Sequence, residues 1–168
     1  MPTTIITART PAQIDAACAL VWEFFAQLRD RYPDMLAEID AYVADQQVAA
    51  QLADFAAVFL PPAGECFLAY VDDAPVGLAM LKLHGDALGE MNRMYVRAAA
   101  RGLGLGRRLG DSVIDQARRS GCETLRLDAA HRHVEALPLY ESLGFVRVTD
   151  PGAFGGEDAR IIHMTLAL

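Results

Sequence analysis

A run of glycines and arginines near the middle of the chain has the composition of a phosphate-binding turn. The run is Arg101-Gly102-Leu103-Gly104-Leu105-Gly106, and a segment of helical periodicity follows it directly. Glycine allows tight turns and close approach to a ligand, and the first amides of a helix lack internal partners at the positive end of its dipole. Such a site favours phosphate, and Arg101, Arg107 and Arg108 add positive charge around it.

Other phosphate-binding turns also contain glycines at close spacing. No Gly-Lys-Ser/Thr follows this run, which disfavours a nucleoside-triphosphate P-loop. A dinucleotide-binding turn expects its glycines after the first strand of a βαβ unit, with an acidic residue ending the next strand. Asp128 fits the second condition, but the run comes after several β segments and two helices. A dinucleotide-dependent oxidoreductase therefore stays open as an alternative.

The first third of the chain predicts a strand followed by helices. Residues 4–9 favour a strand that ends at Thr10-Pro11, a helix cap followed by proline in the first turn. The helix extends to about Tyr32, where the following proline disfavours its continuation. A second helical stretch covers roughly residues 35–59, and the pattern leaves open a break near Asp45.

The remainder of the chain alternates β segments with one long helix. Residues 66–71 and 75–83 predict a hairpin, and residues 90–96 a third strand after a loop at 84–89. The helix after the glycine run places apolar residues on one face: Leu105, Leu109, Val113 and Ala117. Two further strands are predicted, at residues 124–128 and 161–168.

Three ordered motifs resemble those of the GNAT superfamily of N-acetyltransferases. The first is Tyr95-Val96-Arg97 followed by the glycine run, the second is Leu127-Asp128, and the third is Leu139-Tyr140-Glu141-Ser142-Leu143-Gly144-Phe145. The resemblance covers residues 90–146 in motif detail. The helices before it and the terminal β segment match only in the order of elements.

This resemblance implies an α+β fold in a single domain over residues 1–168. Its mixed, mostly antiparallel central sheet would have about six or seven strands and about four flanking helices, and would be splayed between strands 4 and 5. Coenzyme A would lie in the opening, with acetyl-CoA as the acyl donor. The residues carried over as cofactor-binding are Met94, Tyr95, Val96, Arg101, Gly102, Leu103, Gly104, Leu105, Gly106 and Arg107.

The same resemblance suggests a general acid and a general base for direct transfer to an amine. Tyr140 lies where many members protonate the departing thiolate, and its hydroxyl can donate such a hydrogen bond. Glu90 opens the strand before the glycine run, and a partly buried carboxylate with a raised pKa could deprotonate the amine. Packing for Tyr140 and a solvated strand end for Glu90 are the alternatives, and His131 is another candidate base.

Composition narrows the class of partner and the cellular location. The 168 residues carry a net charge of −7, which argues against nucleic acid. No apolar stretch is long enough for a membrane span, and no secretory signal is evident, so we expect a cytoplasmic protein. Three scattered cysteines without a CxxC pair suggest buried thiols, and His131 and His133 alone make a poor metal site, so we expect no metal.

The acceptor is the least specified part of the prediction. Small polyamines, aminoglycoside-like antibiotics, amino acids, peptide N-termini and lysine side chains are all compatible, and the acidic first third weakly favours a cationic small molecule. The glycine-rich loop at residues 149–158 is expected to border the acceptor opening. A catalytically silent coenzyme A sensor is a second alternative function, and a homodimer is compatible with an exposed sheet edge.

Overall fold

The structure is a computed structural model that describes residues 1–130, 136–148 and 161–168. Within those ranges the chain forms seven β-strands and six α-helices. The strands are β1 (Thr3–Thr7), β2 (Gly64–Val71), β3 (Ala74–Gly85), β4 (Leu88–Val96), β5 (Thr124–Ala130), β6 (Val146–Arg147) and β7 (Ile161–Ala167). The helices are α1 (Pro11–Arg31), α2 (Leu36–Asp45), α3 (Val48–Ala53), α4 (Phe55–Phe59), α5 (Leu105–Arg119) and α6 (Leu137–Ser142).

The strands form one mixed sheet in the order β1-β2-β3-β4-β5-β7-β6. Every neighbouring pair is antiparallel except β4 and β5, which are parallel. Helix α5 connects these two strands, as a parallel pair requires a crossover. The predicted mixed, mostly antiparallel sheet is confirmed.

The parallel pair separates soon after it begins. Strands β4 and β5 are in register only from Leu88↔Thr124 to Glu90↔Arg126. Beyond that point β4 continues to Val96 against β3, while β5 continues to Ala130 against β7. In the described residues, the β5 side of β4 therefore has no strand partner after Glu90, and the predicted splay between strands 4 and 5 is present.

The sheet divides the apolar residues into two cores. Successive side chains along β3 point to opposite faces, so that Leu81 belongs to one core and Met80 to the other. The first core contains the buried faces of α5 and α6, and the second contains those of α1 to α4. The four apolar residues predicted to share a face of α5 are all buried in the first core: Leu105, Leu109, Val113 and Ala117.

Local sequence signals account for the ends of several elements. The Thr10 hydroxyl accepts a hydrogen bond from the Gln13 amide at 3.3 Å, and the Gln13 side chain accepts one from the Thr10 amide at 3.0 Å. This reciprocal cap begins α1 where the sequence predicted it. Pro138 lies in the first turn of α6, where the missing amide hydrogen costs no helical hydrogen bond.

Three features differ from the prediction. The helical stretch at residues 35–59 is broken into α2, α3 and α4. The break left open near Asp45 occurs at Gln47, with φ of 51°, and a second, unexpected break at Asp54 gives six helices in the described residues rather than about four. The expected loop at 84–89 is a two-residue turn, because β3 extends to Gly85 and Asp86 and Ala87 both have positive φ. Strand β6 was not predicted, since two residues carry no periodicity.

No helix in the described ranges combines the length and the apolar composition that crossing a membrane requires.

Candidate active site

A cavity of about 420 Å³ lies between the C-terminal end of β4, the N-terminus of α5 and helix α6. We call it the loop cavity. All the predicted cofactor-binding residues except Leu103 line it, namely Met94, Tyr95, Val96, Arg101, Gly102, Gly104, Leu105, Gly106 and Arg107. The side chain of Leu103 is exposed instead. The predicted set is therefore assembled around one space.

The glycine run has the backbone conformation that its composition predicted. Gly102 and Gly104 have φ of +82° and +73°, a region that side chains disfavour, and a Cβ on either would meet nothing within 4 Å. Gly104 is the N-cap of α5, where no side chain caps the helix and no acidic residue occupies the first turn. The first amides of α5 are thus available to an anion at the positive end of the helix dipole.

The three arginines near the glycine run and Tyr95 differ in which of their groups are available to a ligand in the loop cavity. Arg101 and Arg107 line the loop cavity, and Arg107 is held by a 3.1 Å hydrogen bond to the Ser142 carbonyl. Arg108 does not line it, and donates instead to the Thr3 hydroxyl at 2.7 Å. The Tyr95 hydroxyl donates to Glu23 at 2.9 Å, so this residue offers its main chain to the cavity.

A second cavity, of about 290 Å³, lies between the sheet and helices α1 and α2. We call it the helix cavity. Its apolar wall is formed largely by Phe24, Phe25, Leu28, Met35, Ile39 and Tyr42, and its charged residues are Glu38, Asp45, Arg93 and Asp128. Phe24, Met94 and Tyr140 line both cavities. A group bound in one cavity can therefore reach a group bound in the other.

Tyr140 is buried where the two cavities meet. It lies on α6 at the boundary of the two cavities, with its ring packed on Phe145 at a centroid distance of 6.3 Å. Burial raises the pKa of its hydroxyl to about 12, because the anion would lose its hydration. The hydroxyl is therefore protonated at neutral pH, as a general acid must be before it acts.

Glu90 lies in the last register pair before β4 and β5 separate, and it lines neither cavity. Its carboxylate is 2.7 Å from His84 Nε2, accepts from Asn92 Nδ2 at 3.1 Å and is 3.5 Å from Arg126 Nη2. Burial raises the pKa of Glu90, but these hydrogen bonds and charges outweigh burial and lower it overall. The expectation of a raised pKa is wrong, because the sequence does not show these partners.

The lowered pKa of Glu90 predicts how its contribution to stability depends on pH. Because the pKa of Glu90 in the folded state lies below the ordinary 4.5, the charged carboxylate stabilises the folded protein fully above pH 4.5. This stabilisation decreases progressively as the pH falls from 4.5 through the lower, folded-state pKa. Glu90→Gln should therefore reduce the free energy of unfolding by about 1 to 2 kcal/mol at pH 7 and by less at pH 4. Urea unfolding of both proteins at the two pH values measures this, and a larger deficit at pH 4 would contradict it.

Two polar groups in this region were not assigned to an acyltransferase site from the sequence. Asp128 lines the helix cavity, and its Oδ1 atom is 2.6 Å from Nδ1 of His163, its cross-strand neighbour on β7. Arg93 has a φ of 55°, in a bulge of β4. Asp128 was noted as the acidic residue of a dinucleotide site and as part of the Leu127-Asp128 motif, but it was given no catalytic role, and no local pattern connects it to a histidine so distant in sequence.

Some sequence-predicted residues lie outside the described residues. These are His131 and His133, considered as a base and a metal pair, and the glycine-rich loop at 149–158. Among the residues that the structure does describe, no cluster of three or more histidine, cysteine, aspartate or glutamate side chains could hold a metal ion.

Comparison with known proteins decides what this arrangement belongs to. The family model described as the acetyltransferase (GNAT) family matches residues 21–145, which include the second half of α1, strands β2 to β5, the glycine run and α6. The chain belongs to the GNAT acetyltransferase family. This GNAT protein is an acetyl-CoA-dependent N-acetyltransferase, and the loop cavity has the open helix N-terminus and cations that fit the coenzyme.

Similar proteins extend over nearly the whole chain. The IAA acetyltransferase of Azospirillum brasilense is 31% identical over 156 residues, which cover 92% of this chain and 90% of that protein. The solved acetyltransferase from Streptococcus agalactiae 2603 has the same fold, with a TM-score of 0.77, 18% identity and coverage of 99% of this chain and 98% of its own. A Bacillus subtilis acetyltransferase solved in complex with CoA has a TM-score of 0.55 and 22% identity, over 68% of this chain and 83% of its own.

Family membership also bears on the two alternative functions. The glycine run belongs to an acetyltransferase domain, and it follows the fourth strand of a mostly antiparallel sheet rather than the first strand of a βαβ unit. The dinucleotide-dependent oxidoreductase is therefore wrong. Because a curated relative that covers 92% of this chain is named as an acetyltransferase, the comparison favours an enzyme over a silent sensor.

Proposed function

We propose that this GNAT enzyme transfers the acetyl group directly to an amine held in the helix cavity, while acetyl-CoA occupies the loop cavity. The observation that carries the proposal is that the two cavities share Phe24, Met94 and Tyr140. A donor and an acceptor bound on either side would have their reacting atoms side by side. That arrangement favours attack within a ternary complex, since positioning replaces a bimolecular encounter.

Each chemical step has a group in the described structure to support it. Acetyl-CoA supplies the acetyl thioester, whose carbonyl carbon is attacked by the amine nitrogen as the carbon–sulfur bond breaks. The main-chain N–H groups of β4 beyond Glu90 have no partner strand on the β5 side, and they can donate to the carbonyl oxygen as charge develops on it. Tyr140 donates its hydroxyl proton to the departing thiolate.

The amine must lose a proton, and we propose that the pair formed by Asp128 and His163 accepts it. Asp128 lines the helix cavity and Glu90 does not, and of the three carboxylates on its lining Asp128 is the one that lies on the sheet and pairs with a histidine. The lowered pKa of Glu90 makes it a weak base, and its bonds to His84 and Asn92 suit it to hold the point where β4 and β5 separate. Glu90, the base predicted from the sequence, is thus proposed as a positioning residue.

Kinetics and mass spectrometry test the direct-transfer proposal together. Thiol release from acetyl-CoA should depend on an added amine, and the acetylated amine should appear in equal amount. Protein incubated with acetyl-CoA alone should keep its unmodified mass, because no acetyl-enzyme forms. An acetylated side chain that is lost on adding the amine would contradict direct transfer, and absence of amine-dependent thiol release would contradict the function.

The roles of the two carboxylates can be separated by isosteric substitutions. Asp128→Asn should lower kcat by about 100-fold, the usual size of a general-base contribution, with little change in the KM for acetyl-CoA. Glu90→Gln should lower kcat by less than about tenfold, because its carboxylate lines neither cavity. Steady-state rates of the two variants measure this difference, and the reverse order of effects would assign the base to Glu90.

We also propose a single domain over residues 1–168, a cytoplasmic location and a homodimer. Both hydrophobic cores pack on one sheet, which supports the single domain. Free thiols at Cys18, Cys66 and Cys122 favour a reducing compartment. Strand β1 is an edge of the sheet and could pair with a second copy.

A further inference from the structure

Arg93 is placed in the helix cavity by an irregularity in β4. Leu78 pairs with Tyr95 and Met80 pairs with Asn92, so that Arg93 and Met94 together oppose Ala79. This bulge gives Arg93 a φ of 55°, and both residues of the bulge line the helix cavity. Bulges re-aim side chains beside functional sites, and here the re-aimed side chain is a guanidinium.

The guanidinium of Arg93 is held in place without a carboxylate. It donates to the Tyr42 hydroxyl at 3.0 Å and lies 5.4 Å and 5.6 Å from the ring centroids of Phe25 and Tyr42. Other arginines form ion pairs, such as Arg9 with Glu65 and Arg97 with Glu23. Within the described ranges Arg93 has no such partner, although its planar fork of donors matches a carboxylate.

The size and the other lining residues of the helix cavity limit which ligand could supply a carboxylate to Arg93. Its volume of about 290 Å³ is at the low end for small-molecule sites, and its wall is aromatic and aliphatic. Glu38 and Asp45 also line the cavity and, being exposed, can attract an ammonium group. A matching ligand has an apolar body, one carboxylate and one amine.

We propose that the acceptor is a free amino acid with an apolar side chain, whose α-carboxylate binds Arg93. The inference rests on the proposed N-acetyl transfer in the helix cavity and names the substrate class for that site. The three carboxylates of the cavity attract polyamines and aminoglycosides as well, but these compounds have no carboxylate to pair with the guanidinium of Arg93. The N-terminal residue of a peptide has no α-carboxylate for it to bind.

Calorimetry with pairs of compounds that differ only in the carboxylate tests this assignment. Enzyme saturated with free coenzyme A is titrated with L-phenylalanine and phenethylamine, and with L-leucine and 3-methylbutylamine. The wild type should bind each amino acid at least about 30-fold more tightly than its amine, because charge-assisted hydrogen bonds to the carboxylate are lost. In Arg93→Gln the ratio should fall to about threefold or less, and the ratio of kcat/KM values for acetylation should fall with it.

Two further variants separate recognition from folding. Arg93→Lys keeps the charge and loses the planar fork, so its preference should lie between those of the wild type and Arg93→Gln. Arg118→Gln removes an arginine near the C-terminal end of α5 that pairs with Asp115 and lines neither cavity, and it should keep the wild-type preference. Thermal stabilisation of every variant by free coenzyme A shows that the fold is retained.

The amino-acid assignment and the proposed transfer fail in different ways. The assignment is overturned if phenethylamine binds as tightly as L-phenylalanine, if neither amino acid binds, or if Arg93→Gln keeps the preference. Acetylation of phenethylamine in any of these cases would leave the N-acetyl transfer standing. Protein that binds coenzyme A but releases no thiol with any of the four compounds would overturn the amino-acid assignment, and absence of thiol release with other classes of amine as well would contradict the proposed transfer.

Discussion

Tyr140→Phe should lower kcat at least about 100-fold while leaving the KM for acetyl-CoA nearly unchanged, because it removes only the proton that the departing thiolate needs. The ring of Tyr140 is buried against Phe145 and fills the same space in the variant. We therefore expect the free energy of unfolding to change by less than about 1 kcal/mol. Steady-state rates of thiol release and a urea unfolding curve measure both quantities.

The control for this variant removes a hydroxyl that lies elsewhere. Tyr70 is on β2 and lines neither cavity, so Tyr70→Phe should keep the wild-type kcat. A rate for Tyr140→Phe within about threefold of the wild type would show that the thiolate leaves without this proton. In that case the side chain serves only to pack the boundary between the loop cavity and the helix cavity.

Gly104→Val should weaken the binding of free coenzyme A by about 10- to 100-fold. A β-branched residue at the φ of +73° is strained, so the loop must shift, and the first amides of α5 shift with it. Each charge-assisted hydrogen bond to a phosphate that is lost accounts for about tenfold or more. Isothermal titration with coenzyme A measures the change in Kd directly.

The chain contains a matched glycine for this experiment. Gly85 has a φ of +79° and is the last residue of β3, beside the turn to β4; a Cβ there would meet nothing within 4 Å, and the residue lines neither cavity. Gly85→Val should therefore cause similar backbone strain and leave the affinity for coenzyme A unchanged. Equal losses of affinity in both variants would mean that strain reaches the loop cavity through the fold, and the phosphate role of Gly104 would be rejected.

The sequence was most informative where function depends on neighbouring residues. The glycine run, the cap at Thr10 and Pro138 in the first turn of α6 each act through the local backbone conformation. A few adjacent residues in the sequence are therefore enough to recognise them. The face of α5 could be predicted for the same reason, because a period of 3.6 residues is a local property.

The helix cavity was largely invisible to the same reasoning. Arg93 meets Tyr42 across 51 residues of sequence, and Asp128 meets His163 across 35. Neither pair has a fixed sequence spacing that would identify it as a motif, because both contacts depend on how the helices and strands pack. The bulge at Arg93 also breaks the alternation by which strand residues are assigned to faces.

The pKa of Glu90 was predicted in the wrong direction for a related reason. Burial alone raises the pKa of a carboxyl group, and the strand position indicated burial. The direction is reversed by His84 and Arg126, which reach Glu90 from two other strands. A sequence shows which ionisable residues are present. The direction of a pKa shift depends on which of them are in contact in the folded protein.

The short register between β4 and β5 has a mechanical consequence for the empty enzyme. The described main-chain pairing between the β1–β4 half of the sheet and the β5–β7 half is limited to residues 87–90, where the Ala87 carbonyl accepts from the amides of Glu123 and Thr124 and the short β4–β5 register follows. Helix α5 bridges the halves by side-chain packing, which tolerates small rotations better than a hydrogen-bonded ladder does. A coenzyme bound beside this separation adds contacts to both halves, so it should increase the cooperativity with which they unfold.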